Sequence, residues 1–328
     1  MRRLVALLIA SFLAFSVVLV ASLAPVGAET YPSRQIRIFV PYSPGGVSDI
    51  AARLVGQKLS DALGQAVIVE NRVGGNGVVA MSAVVRAPAD GYTLIVGTIG
   101  EFAINPALYK DFAYEVGRDL RPVAMLSDTP LVLAANGDAP YHSVKEVIAA
   151  AKAKPDAIGT SSPGAGTFNH IVIEQLGLRA GIKLLHVPYR GGAPAAAAVA
   201  AGDVPLSVLA ISSAVPFLQS GRIRVLAVTT AKRSSFNPDW KTLEEEGVPD
   251  LNASNWVGMF AAKDVPDSIV EKLHDEIQKI LAMPEIRDRF AVGGAETTPM
   301  SIADFDARIK SDTASFKKIV AEAGIHVE

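Results

Sequence analysis

Short runs of β-branched residues alternate with longer helical patterns along most of the chain, and this order limits the possible folds more than any other feature. Strands are predicted at 36–40, 66–69, 93–96, 182–186, 204–209 and 223–228, and helices at 49–62, 76–86, 144–153, 168–178, 194–201, 268–281 and 302–323. A regular order of strand and helix predicts right-handed βαβ units and parallel sheets. The first helix is expected to bury Ile50, Val55 and Leu59, with Arg53 on its exposed side.

The first 28 residues have the pattern of a secretory signal. Arg2 and Arg3 precede an uncharged apolar run at 4–23, and small residues follow up to Ala28. A retained signal anchor is the alternative, because about 20 apolar residues can span a bilayer. We expect cleavage after Ala28 and export to the periplasm. The remaining 300 of the 328 residues are more than one core comfortably serves, so two domains are expected.

The composition excludes several classes of site. The chain has no cysteine, so disulfides, thiolate metal sites and a cysteine nucleophile are ruled out. Loss of Arg2 and Arg3 with the signal leaves 29 basic against 33 acidic residues, and this net charge of −4 argues against a nucleic-acid partner. The five histidines are scattered without ligand spacing, so neither a metal site nor a cofactor is expected.

The stretch "VPYSPGGVSD" joins the first predicted strand to a helix through Pro44, Gly45 and Gly46. Proline followed by glycine favours a type II turn, which aims successive N–H groups into one concavity. The helix behind the turn adds the partial positive charge of its N-terminus. The turn lacks the lysine of a Walker loop and the spacing of a dinucleotide fingerprint, so it predicts an anion site that is not a nucleotide site.

Two further turns have the same design. "GTSSPGAGTFNHI" leads to Thr167 as a helix cap, and "HVPYRGGAPAAAA" leads through Arg190 to Pro194 in a first helical turn. A weaker fourth turn is "ENRVGGNGVV". Each glycine alone is explained by a sharp strand-to-helix turn. Together, rich in neutral donors and poor in cations, the turns favour a carboxylate ligand over a phosphate.

A serine hydrolase is the alternative function. Ser161 and Ser162 precede His170 by eight or nine residues, but no G-x-S-x-G elbow is present, and the histidine is predicted on the helix rather than in the turn. We therefore expect no catalytic residue, and His170 is expected to hydrogen-bond a ligand or a neighbour.

Six ordered motifs point to a family: "YPSRQIRIFVPYSPGGVSDIAAR", "VENRVGGNG", "APADGYTLIVG", "TSSPGAGTFNH", "VPYRGGAPA" and "GRIRVLAVTTAKR". From Tyr31 to about Val320 the chain resembles the substrate-binding receptors of tripartite tricarboxylate transporters, also called Bug receptors. The resemblance implies a type II periplasmic binding protein, an α/β fold with two Rossmann-like lobes and a ligand cleft between them. It places residues 29–129 and 256–328 in one lobe and 130–255 in the other.

The resemblance also implies a small carboxylate ligand, delivery to the membrane carrier of such a transporter, and a monomer that is not an enzyme. A receptor that signals to a membrane sensor remains an alternative. By motif position the ligand-binding residues would be Tyr42, Ser43, Gly45, Gly46, Val47, Ser48, Asp49, Thr160, Ser161, Gly164, Gly166, Thr167, His170, Tyr189, Arg190, Gly191, Gly192 and Ala210.

The sequence departs from the family pattern at several of these motifs. Ala165 stands where asparagine is usual, and Pro205 and Ala210 stand where acids are frequent. Phe168 and Ala210 would make the cleft more apolar, and the loss of an acid would weaken recognition of an amino group. These departures favour a dicarboxylate or an aromatic acid over an amino acid.

Overall fold

The computed structural model describes residues 31–74, 77–109 and 113–325. The predicted signal peptide at 1–28 and the start of the predicted helix at 76 lie outside the described residues. Within the described ranges, no helix is both long and apolar enough to cross a membrane. Residues 1–34 and 35–328 separate into two units, and the second, which holds every strand and helix below, is described here by itself.

Nine strands and ten α-helices form this unit within the described residues. The strands are β1 (Ile36–Val40), β2 (Val67–Asn71), β3 (Thr93–Thr98), β4 (Leu120–Asn136), β5 (Gly159–Ser162), β6 (Leu185–Pro188), β7 (Leu206–Ala210), β8 (Ile223–Val228) and β9 (Ser254–Ala262). The helices are α1 (Val47–Leu63), α2 (Val78–Val85), α3 (Asn105–Leu108), α4 (Val144–Ala153), α5 (Phe168–Ala180), α6 (Gly192–Ala201), α7 (Ile211–Leu218), α8 (Asp267–Ala282), α9 (Pro284–Ala291) and α10 (Ile302–Ala323). A π-helical turn, Gly100–Ile104, precedes α3.

The strands pair in the order β2-β1-β3-β9-β4-β7-β5-β6, and β8 also pairs with β4. The pairs β1-β2, β1-β3, β5-β6 and β5-β7 are parallel. The expectation of purely parallel sheets is wrong, because β9 and β4 run antiparallel to all their neighbours. These two strands are not entered through a βαβ crossover from an adjacent strand, so the parallel rule does not apply to them.

The 17-residue strand β4 connects two groups of strands. Its first part pairs with β9 from Leu120 to Pro130, and its second part pairs with β7 and β8 from Leu131 onward. Register shifts interrupt the β4–β9 ladder near Pro122 and again between Met125 and Ser127. One side of β9 carries a dense aromatic core, in which the buried rings of Phe102, Phe260 and Phe305 surround Trp256.

The buried face of α1 is rotated from the predicted one. Val55 and Leu59 are buried as expected, but Ile50 is 48% exposed. Ser48 and Asp49 take the inward positions at the start of the helix, at 1% and 3% exposure. Two polar residues are thus buried where the apolar periodicity predicted a core residue, which directs attention to what surrounds them.

Candidate ligand-binding cleft

A cavity of about 880 Å³ lies where the turn before α1 faces the turns that follow β5 and β6. The first wall consists of Tyr42, Ser43, Pro44, Gly45, Gly46, Val47, Ser48, Thr98, Gly100, Glu101, Asn105, Leu108 and Tyr109. The second consists of Pro163, Ala165, Gly166, Thr167, Phe168, Asn169, Arg190, Gly191 and Gly192, and Asn255 of β9 completes the lining.

The turn of the first wall is fixed from within by Asp49. Its carboxylate accepts hydrogen bonds from the Gly45 N–H (2.9 Å), Asn71 Nδ2 (2.9 Å) and Arg53 Nε (3.1 Å). Burial alone would raise the pKa of Asp49, but the hydrogen bonds from these three partners outweigh it and hold the pKa below its ordinary value. The periodicity predicted only that Arg53 lies on the exposed face of the helix. In the structure, Arg53 also stabilises the turn through its bond to Asp49.

Glycine is required by the backbone at Gly45, which has φ +91°, a conformation that side-chain-bearing residues rarely adopt. Gly46 has φ −77° and serves as the N-cap of α1 without any side-chain cap. A helix that begins without a capping side chain leaves its first N–H groups available. These groups belong to Val47, Ser48 and Asp49, the first two of which line the cavity.

Two buried polar atoms at the cavity, Ser48 Oγ and Asn255 Oδ1, have no hydrogen-bond partner among the described residues. Buried polar groups in native proteins are nearly always satisfied, and each exception calls for an explanation. Both residues line the same cavity, so a polar ligand placed there would supply the missing hydrogen bonds.

The second wall presents two further helix N-termini. Thr167 caps α5 by accepting from the His170 N–H, and Gly191 caps α6 with no side-chain hydrogen bond. Arg190, beside Gly191, is the one cation among the described residues that line the cavity. Arg190 is exposed and lines the cavity, and no ion pair joins it to an acid among the described residues.

Glu101 is the one acid among those lining residues, and its side chain is almost wholly buried at 1% exposure. Oε2 accepts from the Thr98 N–H (2.7 Å) and the Thr98 hydroxyl (3.0 Å), and Oε1 shares a hydrogen bond with the Tyr42 hydroxyl. Burial raises the pKa of Glu101 to about 8, against the opposing effect of the Thr98 N–H. At neutral pH the described lining of the cleft therefore holds an acid that is mainly protonated and one guanidinium.

The structure brings most of the predicted ligand-binding residues to this cavity. Those that line it are Tyr42, Ser43, Gly45, Gly46, Val47, Ser48, Gly166, Thr167, Arg190, Gly191 and Gly192. The others lie behind it or beside it. These are Asp49, which supports the first turn, Thr160, Ser161, Gly164, His170 and Tyr189 around the second and third turns, and Ala210 at the end of β7.

The serines considered for hydrolysis bond to groups other than His170. Ser161 Oγ donates to the Ala195 carbonyl (3.2 Å) and contacts Ser207 Oγ (2.8 Å), while Ser162 Oγ lies 2.7 Å from Nε2 of His186. Both serines are fully buried. His170 Nδ1 accepts from the Gly166 N–H (3.1 Å), so this histidine holds the turn of the second wall.

The rings of His170 and His186 stack with their centroids 3.7 Å apart. Burial, and next the charge of His170, lower the pKa of His186 to about 4, although Glu174 acts in the opposite direction. A stacked pair in which one ring resists protonation makes the folded state sensitive to acid.

We expect the free energy of unfolding to decrease as the pH falls from about 6.5 to 4. Over this range His186 binds a proton in the unfolded chain but stays neutral in the folded chain, because its pKa is lower there. The expected loss is roughly 1–2 kcal/mol, after allowance for partial solvent screening. Urea unfolding at pH 7.5 and 4.5 measures it. The variant His186→Gln, whose amide can still hydrogen-bond Ser162, should show a smaller difference, and an equal difference in both proteins would contradict the assignment.

The sequence reasoning missed Glu101, Thr98 and Asn255. Glu101 follows the end of β3 and Asn255 lies near the start of β9, and neither segment has the glycine-rich turn that marked the other sites. A signal did exist for Glu101, which is the lone charged residue between Asp90 and Lys110 in the sequence. An isolated acid in a long apolar run is seldom fully buried without a specific role.

The comparisons with known proteins agree with this architecture. The family model described as the tripartite tricarboxylate transporter family receptor, TctC, matches residues 51–325. BugT of Bordetella pertussis is 34% identical over 304 residues, which cover 92% of this chain and 93% of BugT. The chain belongs to the TctC family, so the resemblance inferred from the motifs is confirmed, and a similar solved structure is that of the periplasmic binding protein BugD.

Two solved relatives carry ligands. Rpa4515 of Rhodopseudomonas palustris, solved with adipate, is 32% identical with a TM-score of 0.79, and the match covers 90% of this chain and 99% of that one. MatC of the same organism, with bound malate, is 28% identical with a TM-score of 0.75, and the match covers 88% and 100%. The fold is therefore that of the TctC-type periplasmic binding proteins.

Proposed function

We propose that this protein is a receptor that captures a small carboxylate in the cavity between the α1 turn and the turns of α5 and α6. The observation that carries the proposal is the convergence of three helix N-termini and the Arg190 guanidinium on one cavity. Backbone N–H groups and helix dipoles stabilise an anion there, and Arg190 adds the one full positive charge of the described lining.

The ligand class follows from the donors available. A phosphate, with more charge to neutralise, is commonly held by several cations or by a lysine loop, whereas one guanidinium and neutral donors suit a carboxylate. The Ser48 hydroxyl could donate to a second carboxylate of the ligand, whereas Asn255 Oδ1 is an acceptor and would bond a ligand donor such as a hydroxyl. We favour a dicarboxylate or an aromatic acid, and the adipate and malate held by two relatives support the first of these.

Capture by hinge closure is part of the proposal. The two groups of strands joined by β4 would form the two lobes, residues 29–129 with 256–328 and residues 130–255. The antiparallel pair β4 and β9, with its register shifts near Pro122 and Met125, would act as the crossing. Tyr189, a predicted binding residue that is partly exposed and lies outside the cavity lining, would join the ligand shell only on closure.

We further propose that the signal peptide at 1–28 is cleaved, that the monomer works in the periplasm, and that the closed form delivers its ligand to the membrane carrier of a tripartite tricarboxylate-type transporter. The family assignment supports this partner. A receptor that instead signals to a membrane sensor would use the same cleft, so transport of the ligand by cells lacking the receptor separates the two roles.

Isothermal titration against malate, adipate, citrate, benzoate and aspartate tests the ligand class. We expect at least one acid without an amino group to bind with a Kd on the order of micromolar, because four or five charged hydrogen bonds minus the losses of association give about that affinity. Absence of binding to every acid, together with labelling by a fluorophosphonate probe, would point instead to the serine hydrolase.

A further inference from the structure

Glu101 and Tyr42 form a hydrogen-bonded pair in the first wall, and their positions differ in an informative way. Glu101 is 1% exposed, whereas Tyr42 is 36% exposed, and both line the cavity. The Glu101 carboxyl thus lies deeper in the wall of the cavity than the Tyr42 ring. The hydroxyl oxygen of Tyr42 both donates and accepts, so its hydrogen points toward whichever partner lacks one.

The surroundings of Glu101 decide which partner that is. Oε2 is occupied by two bonds from Thr98, and no cation lines this wall among the described residues. Side-chain atoms of Glu101 also lie within 2.9 Å of where a Cβ would stand at Gly77 and at Gly97, so the carboxyl is packed tightly on two sides. An acid enclosed in this way without a cation is more stable when it carries a proton.

We propose that Glu101 positions Tyr42 for the ligand: as a neutral acid it donates its proton to the Tyr42 oxygen, which turns the Tyr42 hydrogen outward to donate to a ligand carboxylate in the cleft. This inference rests on the proposed function and identifies a proton that controls the same site. When Glu101 ionises, Tyr42 must turn its hydrogen inward to the carboxylate. The ligand then loses a donor and faces a new negative charge.

The proton linkage has a definite sign. A bound carboxylate makes ionisation of Glu101 less favourable, so the complex holds this proton more tightly than the free protein does. The affinity for the ligand is therefore constant well below the pKa of Glu101 in the free protein, which is about 8, and decreases above that pKa. For one proton the limit of the decrease is about tenfold in Kd per pH unit.

The other ionisable groups near Glu101 do not produce this profile. Tyr114 donates to the Glu101 carbonyl, and burial followed by the nearness of Glu101 raises its pKa, so it stays neutral. Asp49 is ionised and bonded to Arg53 beneath the first turn. Across the cavity, Arg190 is the cation of the described lining. Tyr109 is the remaining ionisable residue in the described lining.

Titration calorimetry between pH 6 and 9.5 tests the proposal, with malate and adipate as the probes. We expect a constant Kd from pH 6 to 7 and a rise above pH 8 that approaches tenfold per unit in the wild type. Glu101→Gln keeps a donor for the Tyr42 oxygen and cannot ionise, so its Kd should stay flat to pH 9.5. A melting curve at each pH verifies that both proteins are folded.

The variant Tyr42→Phe tests the proposed hydrogen bond from the Tyr42 hydroxyl to the ligand. Loss of the outward donor should weaken binding at pH 7 by about three- to tenfold. If this variant binds the ligand as tightly as the wild type at pH 7, Tyr42 donates no hydrogen bond to the ligand. A flat wild-type profile, or an unchanged slope in Glu101→Gln, would likewise overturn the proposal.

A second measurement needs no ligand and so separates this inference from the proposed function. In protein labelled with ¹³C at the glutamate carboxyls, the Glu101 resonance is identified by its absence from Glu101→Gln. A titration midpoint near 8 supports the proposal, and a midpoint below about 5, the ordinary range of glutamate, overturns it. If the midpoint is high but no acid binds, the ligand class is wrong and Glu101 still holds its proton.

Discussion

Arg190→Ala is expected to weaken carboxylate binding by about 10- to 150-fold. Arg190 is the one cation in the described lining of the cavity, and hydrogen bonds to a charged group contribute about 1.5–3 kcal/mol. Each 1.4 kcal/mol corresponds to a factor of ten in Kd. Titration calorimetry of the best acid from the panel, at pH 7 and low salt, measures the effect.

Two variants make this result specific. Arg190→Lys keeps the charge but loses the planar fork that can hold a carboxylate through two parallel bonds, so its affinity should lie between those of the wild type and the alanine variant. Arg287→Ala removes the same charge from an exposed position on α9 outside the cavity lining, and it should change Kd by less than about twofold. Equal effects of Arg190→Ala and Arg287→Ala would mean that only net charge matters.

The strands predicted from the sequence overlap β1, β2, β3, β6, β7 and β8, whereas β5 and the two central antiparallel strands, β4 and β9, were not predicted. The segments near Ser127–Pro130 and Asn252–Gly258 contain prolines, glycines and polar residues that are typical of loops. In the folded chain, Asp128 pairs with Trp256, and Pro130 pairs with Ser254, inside the β4–β9 ladder. Strand pairing over more than 100 residues of sequence separation overrides such local preferences, which are weak for β-strands.

A site residue could be predicted where local backbone conformation determines its type, and not where its role depends on tertiary contacts. Gly45 and Gly191 were found because their positive φ angles require glycine, which is visible in the sequence. Asp49 was expected to bind ligand, but its carboxylate is occupied by three partners, two of which lie in other segments. Arg53 meets Asp49 one helical turn along α1, as an i,i+4 pair, but Asn71 joins them only because β1 pairs with β2, and helical periodicity carries no information about that second contact.

Asp49→Ala is expected to lower the free energy of unfolding by about 2–4 kcal/mol and to weaken ligand binding at the same time. The side chain is 4% exposed, so its removal leaves the Gly45 N–H without its acceptor and Arg53 without its ion-pair partner, and the Asn71 amide keeps only its bond to the Tyr42 carbonyl. Loss of one partner in a buried, charged hydrogen-bond network costs about this much. The Gly45 turn then loses the bond that fixes it beside the cavity.

Urea unfolding measures the loss of stability and titration calorimetry the loss of binding. The pH dependence of stability in acid provides a third test. Because the folded-state pKa of Asp49 lies below its ordinary value, its contribution is complete above pH 3.8 and is lost as the pH falls through the folded pKa. The alanine variant should lack this part of the acid dependence. Asp61→Ala removes an exposed carboxylate from the same helix and should change stability by less than about 0.5 kcal/mol. If Asp49→Ala is no less stable than Asp61→Ala, the network does not support the turn, and any loss of binding would then require Asp49 to contact the ligand itself.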